Sequence, residues 1–228
     1  MLYYFFSSSD ASTYERDRKE TSNAGYLDIM KEPRFVLFCC VQCLTTLVLY
    51  IPLDFLPSAM VKEHHMTDQM GGGIIAYYGI SSMFGRLFAG IFTQYFKNTS
   101  ILCTGICMII ICGSCIGMAY SIAYWQFMVL CSIYGFYTGA IFVLLPLALV
   151  DILSTELLNL SYGIIQFFNG MSVLVGPPAF GWIKMLSGTY ELVFVISGIV
   201  YFVGGLVAFI VHLIHRNNIQ KSSYLEAK

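Results

Sequence analysis

The segment GISSMFGRLFAG, at Gly79–Gly90, places one arginine inside a long uncharged stretch. Arg86 is the only charged residue between Gln69 and Phe96. A guanidinium group is always charged, and its planar set of donors can hold a carboxylate through two hydrogen bonds. Arg86 is therefore a candidate ligand for a small organic anion. The alternative is an arginine that only snorkels to the membrane surface or caps backbone groups.

Other polar side chains recur at helical spacing in apolar segments. Residues three and four positions apart share a helix face, so such residues can point toward one cavity. The alternative is that they only form hydrogen bonds between helices, each worth about 0.6–2 kcal/mol. The predicted substrate-binding residues are Arg86, Ser82, Gln42, Thr45, Tyr137, Thr138, Gln166 and Asn169.

The composition of the chain is that of a membrane protein. Of its 228 residues 57% are hydrophobic and only 11% are charged, whereas a soluble domain has about 25% charged residues. The formal net charge of -1, without any basic block, argues against nucleic-acid binding. Segments of about 20 apolar residues can cross a bilayer as helices. Six are predicted: Phe35–Met60, Gln69–Gln94, Ser100–Tyr120, Tyr124–Val150, Leu158–Ile183 and Leu192–Ile214.

These spans divide the chain into three parts. Residues 1–33 are polar and charged and are predicted to be a cytosolic, mostly disordered segment. Residues 34–215 form a six-helix transmembrane bundle, and residues 216–228 form a cytosolic tail. The predicted fold class is an all-α, multi-pass membrane protein, and its expected location is the plasma membrane.

A weak internal repeat relates the two halves of this bundle. The first and fourth spans end in YIPLDFLP and VLLPLALVD, and the second and fifth contain GRLFAG and GPPAFG. The prolines Pro52 and Pro146 are 94 positions apart, and the glycines Gly85 and Gly176 are 91 apart. Because three is an odd number, the second trio of helices would be inverted in the membrane. A 3+3 inverted repeat of this kind forms each half of a major facilitator transporter.

Arg86 is predicted to lie close to the middle of the membrane. It precedes Lys97, at the inner surface, by eleven residues, or about 16 Å at ~1.5 Å per residue. The carboxylates nearest to a span interior, Asp54 and Asp151, should each be roughly 15 Å away along the membrane normal. We therefore expect Arg86 to lack a carboxylate partner and to face a protein interior or a water-filled cavity.

Four segments resemble the C-terminal half of the monocarboxylate transporter family. They are YLDIMKEPRFVLF, GISSMFGRLFAG, YGFYTGAIFVLLPLALVDIL and SYGIIQFFNGMSVLVGPPAFGW, which are similar to its seventh, eighth, tenth and eleventh helices. The resemblance runs from Tyr26 to His215. It implies twelve helices in two bundles, alternating access, and transport of lactate- or pyruvate-like anions, often by symport with protons. The six spans correspond to one bundle, so the chain is either a partial product or pairs with an N-terminal bundle or another half.

Two departures from this family bear on coupling. Arg86 matches the arginine that the family uses for its substrate, but proton-coupled members have an aspartate four residues earlier. Ser82 occupies that position, which favours facilitated or differently coupled transport. Gln94 stands where an acidic residue usually follows the eighth helix, which weakens the cytosolic cluster of gating charges.

Two functions from different classes remain open. The first is transport of a small organic anion, as the C-terminal half of a facilitator-type carrier. The second is a truncated, non-transporting paralogue that binds and modulates full-length carriers. An enzyme is not expected, because no span pairs a nucleophile with a base. All eight cysteines lie within spans, where they are interpreted as packing residues rather than as a metal or redox site, and no cofactor is expected.

The distribution of Lys and Arg predicts the orientation of the chain. Outside the spans, nine of these residues lie on the side of the two chain ends and two lie on the other side. Both ends are therefore expected in the cytosol, where the sequons at Asn98 and Asn159 stay unmodified. Glycosidase digestion and antibody access to a terminal tag check this in intact cells. An N-linked glycan on either asparagine would contradict the orientation.

Overall fold

The computed structural model of the chain describes residues 29–63, 65–95, 99–153 and 157–226, and nearly all of them are helical. The prediction for residues 1–33 therefore concerns mostly residues outside the described part. The principal helices are α1 (Pro33–Leu49), α2 (Ile51–Lys62), α3 (Asp68–Tyr95), α4 (Ser100–Ala119), α5 (Tyr124–Ile152), α6 (Leu158–Ser187) and α7 (Glu191–Glu226).

Within the described residues, six helical segments are long and apolar enough to cross a membrane. They are Pro33–Lys62, Asp68–Gln94, Ser100–Ala119, Tyr124–Ile152, Leu158–Ser187 and Glu191–Ile214. The first combines α1 and α2, and the others correspond to α3, α4, α5, α6 and the first part of α7. The predicted fold class is thus confirmed. The backbone of α7 continues as helix to Glu226, beyond the end of the last span at Ile214, so most residues of the predicted tail are helical.

The first span consists of two helices because its hydrogen bonding is interrupted at Tyr50. Pro52 lies in the first turn of α2, and a proline has no N–H group to donate to the preceding turn. The hydroxyl of Tyr134, on α5, donates a hydrogen bond to the carbonyl oxygen of Leu49. It also lies 3.2 Å from the hydroxyl of Tyr201, on α7. Both tyrosines are fully buried, so neighbouring helices satisfy polar backbone at the break.

The packing of the helices has the symmetry that the predicted 3+3 repeat requires. Helix α3 packs on α5, and α1 packs on α6; α4 packs on α5, and α1 packs on α7. If the first three spans are exchanged for the last three, the contact of α3 with α5 corresponds to that of α6 with α1. The contact of α4 with α5 corresponds to that of α7 with α1. The contact between α4 and α7 corresponds to itself. The bundle is therefore two related trios that pack against each other.

The symmetry extends to burial. In the apolar windows of α3 and α6 only 22% and 11% of the residues are buried, whereas the other four spans range from 39% to 56%. These two helices occupy equivalent places in the two trios. Most buried residues of the main hydrophobic core come from α1, α2, α4, α5 and α7, whereas α3 and α6 contribute only Ile74 and Phe180 among the described residues. Helices α3 and α6 thus form the most exposed sides of the bundle.

The two glycines that matched in the internal repeat have equivalent structural roles. A Cβ atom on Gly85 would overlap the carbonyl oxygen of Phe136, on α5. A Cβ atom on Gly176 would overlap the carbonyl oxygen of Leu47, on α1. Glycine allows two helix backbones to approach this closely, as in the small-residue contacts of other membrane helices. The weak sequence repeat therefore marks two equivalent close contacts between the trios.

We expect Gly85→Ala to destabilise the bundle, because the added methyl group pushes α3 away from α5. Overpacking of this kind costs about 1–3 kcal/mol, which lowers the melting temperature by about 2–12 °C for a chain of this size. Gly176→Ala should act in the same direction on α6. Thermal unfolding of the purified chain in detergent measures both.

Gly79→Ala and Gly90→Ala are matched controls on the same helix as Gly85. A Cβ atom at either position meets nothing within 4 Å, and alanine is favoured over glycine in a helix by about 0.5–1 kcal/mol. Neither control should lower the melting temperature. If Gly85→Ala melts at the same temperature as these controls, the close contact does not limit stability.

Candidate functional site

A cavity of about 230 Å³ lies among α1, α5 and α6. It brings together five of the eight residues predicted to bind substrate, from three different spans. Its polar lining side chains are Gln42, Thr45, Thr46, Thr138, Gln166 and Asn169, and Tyr201 of α7 also contributes. The side-chain hydrogen-bonding groups of three mostly apolar spans thus meet at one cavity.

A chain of hydrogen bonds links two walls of this cavity. The hydroxyl of Thr46 on α1 donates to Asn169 Oδ1 on α6 at 3.1 Å. The Nδ2 group of Asn169 then donates to Gln166 Oε1, also at 3.1 Å. The amide nitrogen of Gln166 has no such partner among the described residues, and its side chain is exposed. This series of hydrogen bonds thus leaves the N–H donors of the Gln166 amide free among the described residues.

The remaining polar residues present mainly acceptors. The hydroxyl groups of Thr45 and Thr138 donate to carbonyl oxygens one turn earlier in their own helices, at 2.9 and 2.6 Å. Their oxygen atoms retain lone pairs but no free proton. Gln42 is only 4% exposed, and its Oε1 atom has no hydrogen-bond partner in the part of the chain that the structure describes. The cavity therefore offers acceptors beside the donors of Gln166.

Arg86 lies beside the cavity but does not line it. Its side chain is exposed on α3, so the six helices alone do not enclose it. The expectation that it faces a protein interior or a water-filled cavity stays a prediction. The guanidinium carbon is 5.3 Å from the centre of the Phe142 ring, and Phe142 does line the cavity. Among the described residues no ion pair includes Arg86.

Two other predicted residues do not reach the polar cavity. Ser82 is 5% exposed and packs against Gly139 where α3 meets α5. Tyr137 lines a different cavity, of about 210 Å³, whose other walls come from apolar residues of α3, α4 and α5. Their predicted roles in substrate binding stay predictions, and neither is in direct contact with the cluster around Gln166.

Nine of the residues that line the cavity were not in the predicted set, and three of them, Thr46, Phe142 and Tyr201, bear on its chemistry. Thr46 adjoins Thr45, and its bond to Asn169 could not be read from one helix alone. Phe142 lies one turn after Thr138, so helical periodicity places both on one face, but a search for polar residues passes over an aromatic ring. Tyr201 belongs to the sixth span, which has few polar residues to attract attention.

Metal-binding groups are not concentrated anywhere in the described residues. No three His, Cys, Asp or Glu side chains among them could hold one ion. All eight cysteines are free thiols, and four of them are buried. The chemistry available at the polar cavity is therefore hydrogen bonding, together with the positive charge of Arg86 at its edge.

Comparison with known sequences places this arrangement in a family. A family model described as the Major Facilitator Superfamily matches residues 38–226. The chain belongs to this superfamily of transporters, and it is a multi-pass membrane protein.

Its curated relatives confirm the resemblance to monocarboxylate transporters. The chain is 30% identical over 155 residues to Monocarboxylate transporter 9 of Pongo abelii, covering 68% of this chain and 29% of that protein. It is 43% identical over 76 residues to Monocarboxylate transporter 14 of Mus musculus, covering 33% and 15%. It is 24% identical over 193 residues to Monocarboxylate transporter 1 of Bos taurus, covering 81% and 37%. The matched region is thus less than two fifths of the length of each of these relatives.

Proposed function

We propose that the chain takes part in transporting small organic anions across a membrane, as the C-terminal six-helix half of a carrier with alternating access. The observation that carries this proposal is the polar cavity with Arg86 at its edge, an arginine without an ion-pair partner among the described residues. Placing polar or charged side chains within a membrane costs free energy, so such residues generally mark a functional site. The names of the relatives support the same class of substrate.

The cavity matches a small solute that carries a negative charge. Its volume of about 230 Å³ is below the range of roughly 300–1,000 Å³ that is typical of sites for drug-sized ligands. The donors of Gln166 and the guanidinium of Arg86 suit a carboxylate, whose oxygens accept hydrogen bonds. Lactate- and pyruvate-like monocarboxylates have the size and charge that this site requires.

Alternating access needs a second bundle against which this one can rock. The relatives are more than twice as long as the matched region, which leaves room in them for such a bundle. Helices α3 and α6 have the most exposed surfaces and lie to either side of the site. They are the proposed contacts with an N-terminal bundle or another half, in a plasma-membrane carrier with both ends in the cytosol.

Reconstitution tests whether this chain transports. The chain is placed in liposomes alone, and in parallel it is co-reconstituted with the N-terminal half of a monocarboxylate transporter. Radiolabelled lactate and pyruvate are then offered. We expect uptake only with the complementing half. No uptake in either preparation, together with altered uptake by a full-length carrier when the chain is co-expressed, would instead assign the non-transporting, modulating role.

Arg86→Ala should weaken the affinity of the complete carrier for an anionic substrate. A hydrogen bond to a charged group contributes about 1.5–3 kcal/mol, so we expect KM to rise about ten- to hundredfold. Arg86→Lys keeps the charge but loses the two-pronged geometry and should restore affinity only in part. Concentration-dependent uptake of radiolabelled lactate measures each KM.

Lys184→Ala is a matched control, because Lys184 also places a cation over an aromatic ring. Its ammonium nitrogen lies 4.8 Å from the centre of the Tyr190 ring, and the residue does not line the cavity. The control should leave KM unchanged. If Arg86→Ala reaches the membrane and transports with the KM of the control, Arg86 is structural and does not bind the anion.

Transport by the complete carrier is expected to depend only weakly on a proton gradient. Ser82 places no carboxylate one turn from Arg86, and no ion pair with Arg86 is present in the described residues. Ser82→Asp should strengthen the dependence on pH. Collapse of wild-type uptake when a protonophore dissipates the gradient would refute this expectation.

A further inference from the structure

We propose that Phe142 is a positioning residue for Arg86, and this inference rests on the proposed function. The face of the Phe142 ring holds the guanidinium at the edge of the polar cavity. It takes the place that a carboxylate would occupy in an ion pair. Phe142 would thus contribute to anion affinity by acting through Arg86.

The geometry is that of a cation–π contact. The guanidinium carbon lies 5.3 Å from the centre of the ring, inside the limit of about 6 Å within which such attraction is significant. Phe142 is 41% exposed and lines the cavity, whereas Arg86 does not. The ring therefore links the positive charge of Arg86 to the lining of the cavity.

The register of α3 against α5 brings these two side chains together. Gly85 immediately precedes Arg86, and its missing side chain lets the backbone of α5 come close at Phe136. Gly139, three positions before Phe142, receives the backbone of α3 at Ser82 in the same way. Two close contacts fix the relative position of the helices along their length. The side chains that follow them are held over each other as a result.

An aromatic partner leaves the arginine available for a ligand. A carboxylate in a bidentate pair would occupy two N–H donors of the guanidinium and cancel its charge. A ring attracts the cation through its quadrupole but accepts no strong hydrogen bond. Arg86 therefore retains its donors and its charge for a substrate anion, and no acid has to be protonated before the anion binds.

Double-mutant analysis separates this role from simple packing. The full-length carrier that contains this bundle is reconstituted, and lactate uptake is measured for Phe142→Leu, Arg86→Ala and the double variant. We expect Phe142→Leu to raise KM about two- to thirtyfold, the range of ordinary to desolvated cation–π contacts. The effect should disappear in the Arg86→Ala background, and the maximal rate should change little.

Two further variants complete the test. Phe142→Trp keeps an aromatic face, and indole is the strongest partner for a cation, so its KM should stay near the wild-type value. This variant also covers the case in which Phe142→Leu fails to fold, which is checked by its melting temperature. Phe202→Leu is the control, since Phe202 has a similar exposure of 45% but lies on α7 outside the cavity lining. It should not change KM.

The outcomes distinguish this inference from the proposed function. Absence of uptake by the wild-type chain together with the complementing half would refute the proposed function. An unchanged KM in Arg86→Ala would refute anion binding by Arg86 and with it the positioning role of Phe142, while transport itself would stand. If Arg86→Ala raises KM while Phe142→Leu does not, Phe142 does not position the arginine. The same conclusion follows if Phe142→Leu raises KM equally in both backgrounds, or if Phe142→Trp raises it as much as leucine does. In these cases the proposed function stands and only the positioning role is overturned.

Discussion

The close contact between α3 and α5 determines how the rest of the site is arranged. Three glycines, Gly85 on α3 and Gly135 and Gly139 on α5, face backbone atoms of the opposite helix. Lipid provides no hydrophobic driving force for helix association, so packing and backbone proximity must hold such helices together. The contact also fixes their register. It thereby decides that Arg86 meets an aromatic ring of α5 rather than another partner.

An equivalent close contact occurs in the other half of the repeat, where Gly176 lets the backbone of α6 approach that of α1. The polar cavity lies between these two regions of contact, with one wall from α5 and the others from α1 and α6. The walls formed by α1 and α6 are joined by the hydrogen bond from Thr46 to Asn169. The cavity thus lies among helices whose backbones touch elsewhere.

The six spans and their approximate limits were predictable because each needs only length and apolar composition. Five residues of the polar cavity were predictable because helical periodicity places polar residues on definite helix faces. They are Gln42, Thr45, Thr138, Gln166 and Asn169. The contact between Arg86 and Phe142 was not predictable, because it depends on the register between α3 and α5. The break at Tyr50 could not be predicted from its own span, because the carbonyl oxygen of Leu49 accepts its hydrogen bond from Tyr134 of another helix. The exposure of Arg86 depends likewise on which helices surround it.

The partners of α1 have a consequence for synthesis. This helix packs mainly on α6 and α7, and the end of the same span is joined to α7 where the backbone N–H of Tyr190 donates to Glu63 at 3.0 Å. More than a hundred residues separate Leu49 from the start of α6, and ribosomes add about 5–20 residues per second. Helix α1 therefore waits on the order of 5–20 s for α6 and α7. During that time its polar face has to be shielded by the insertion machinery.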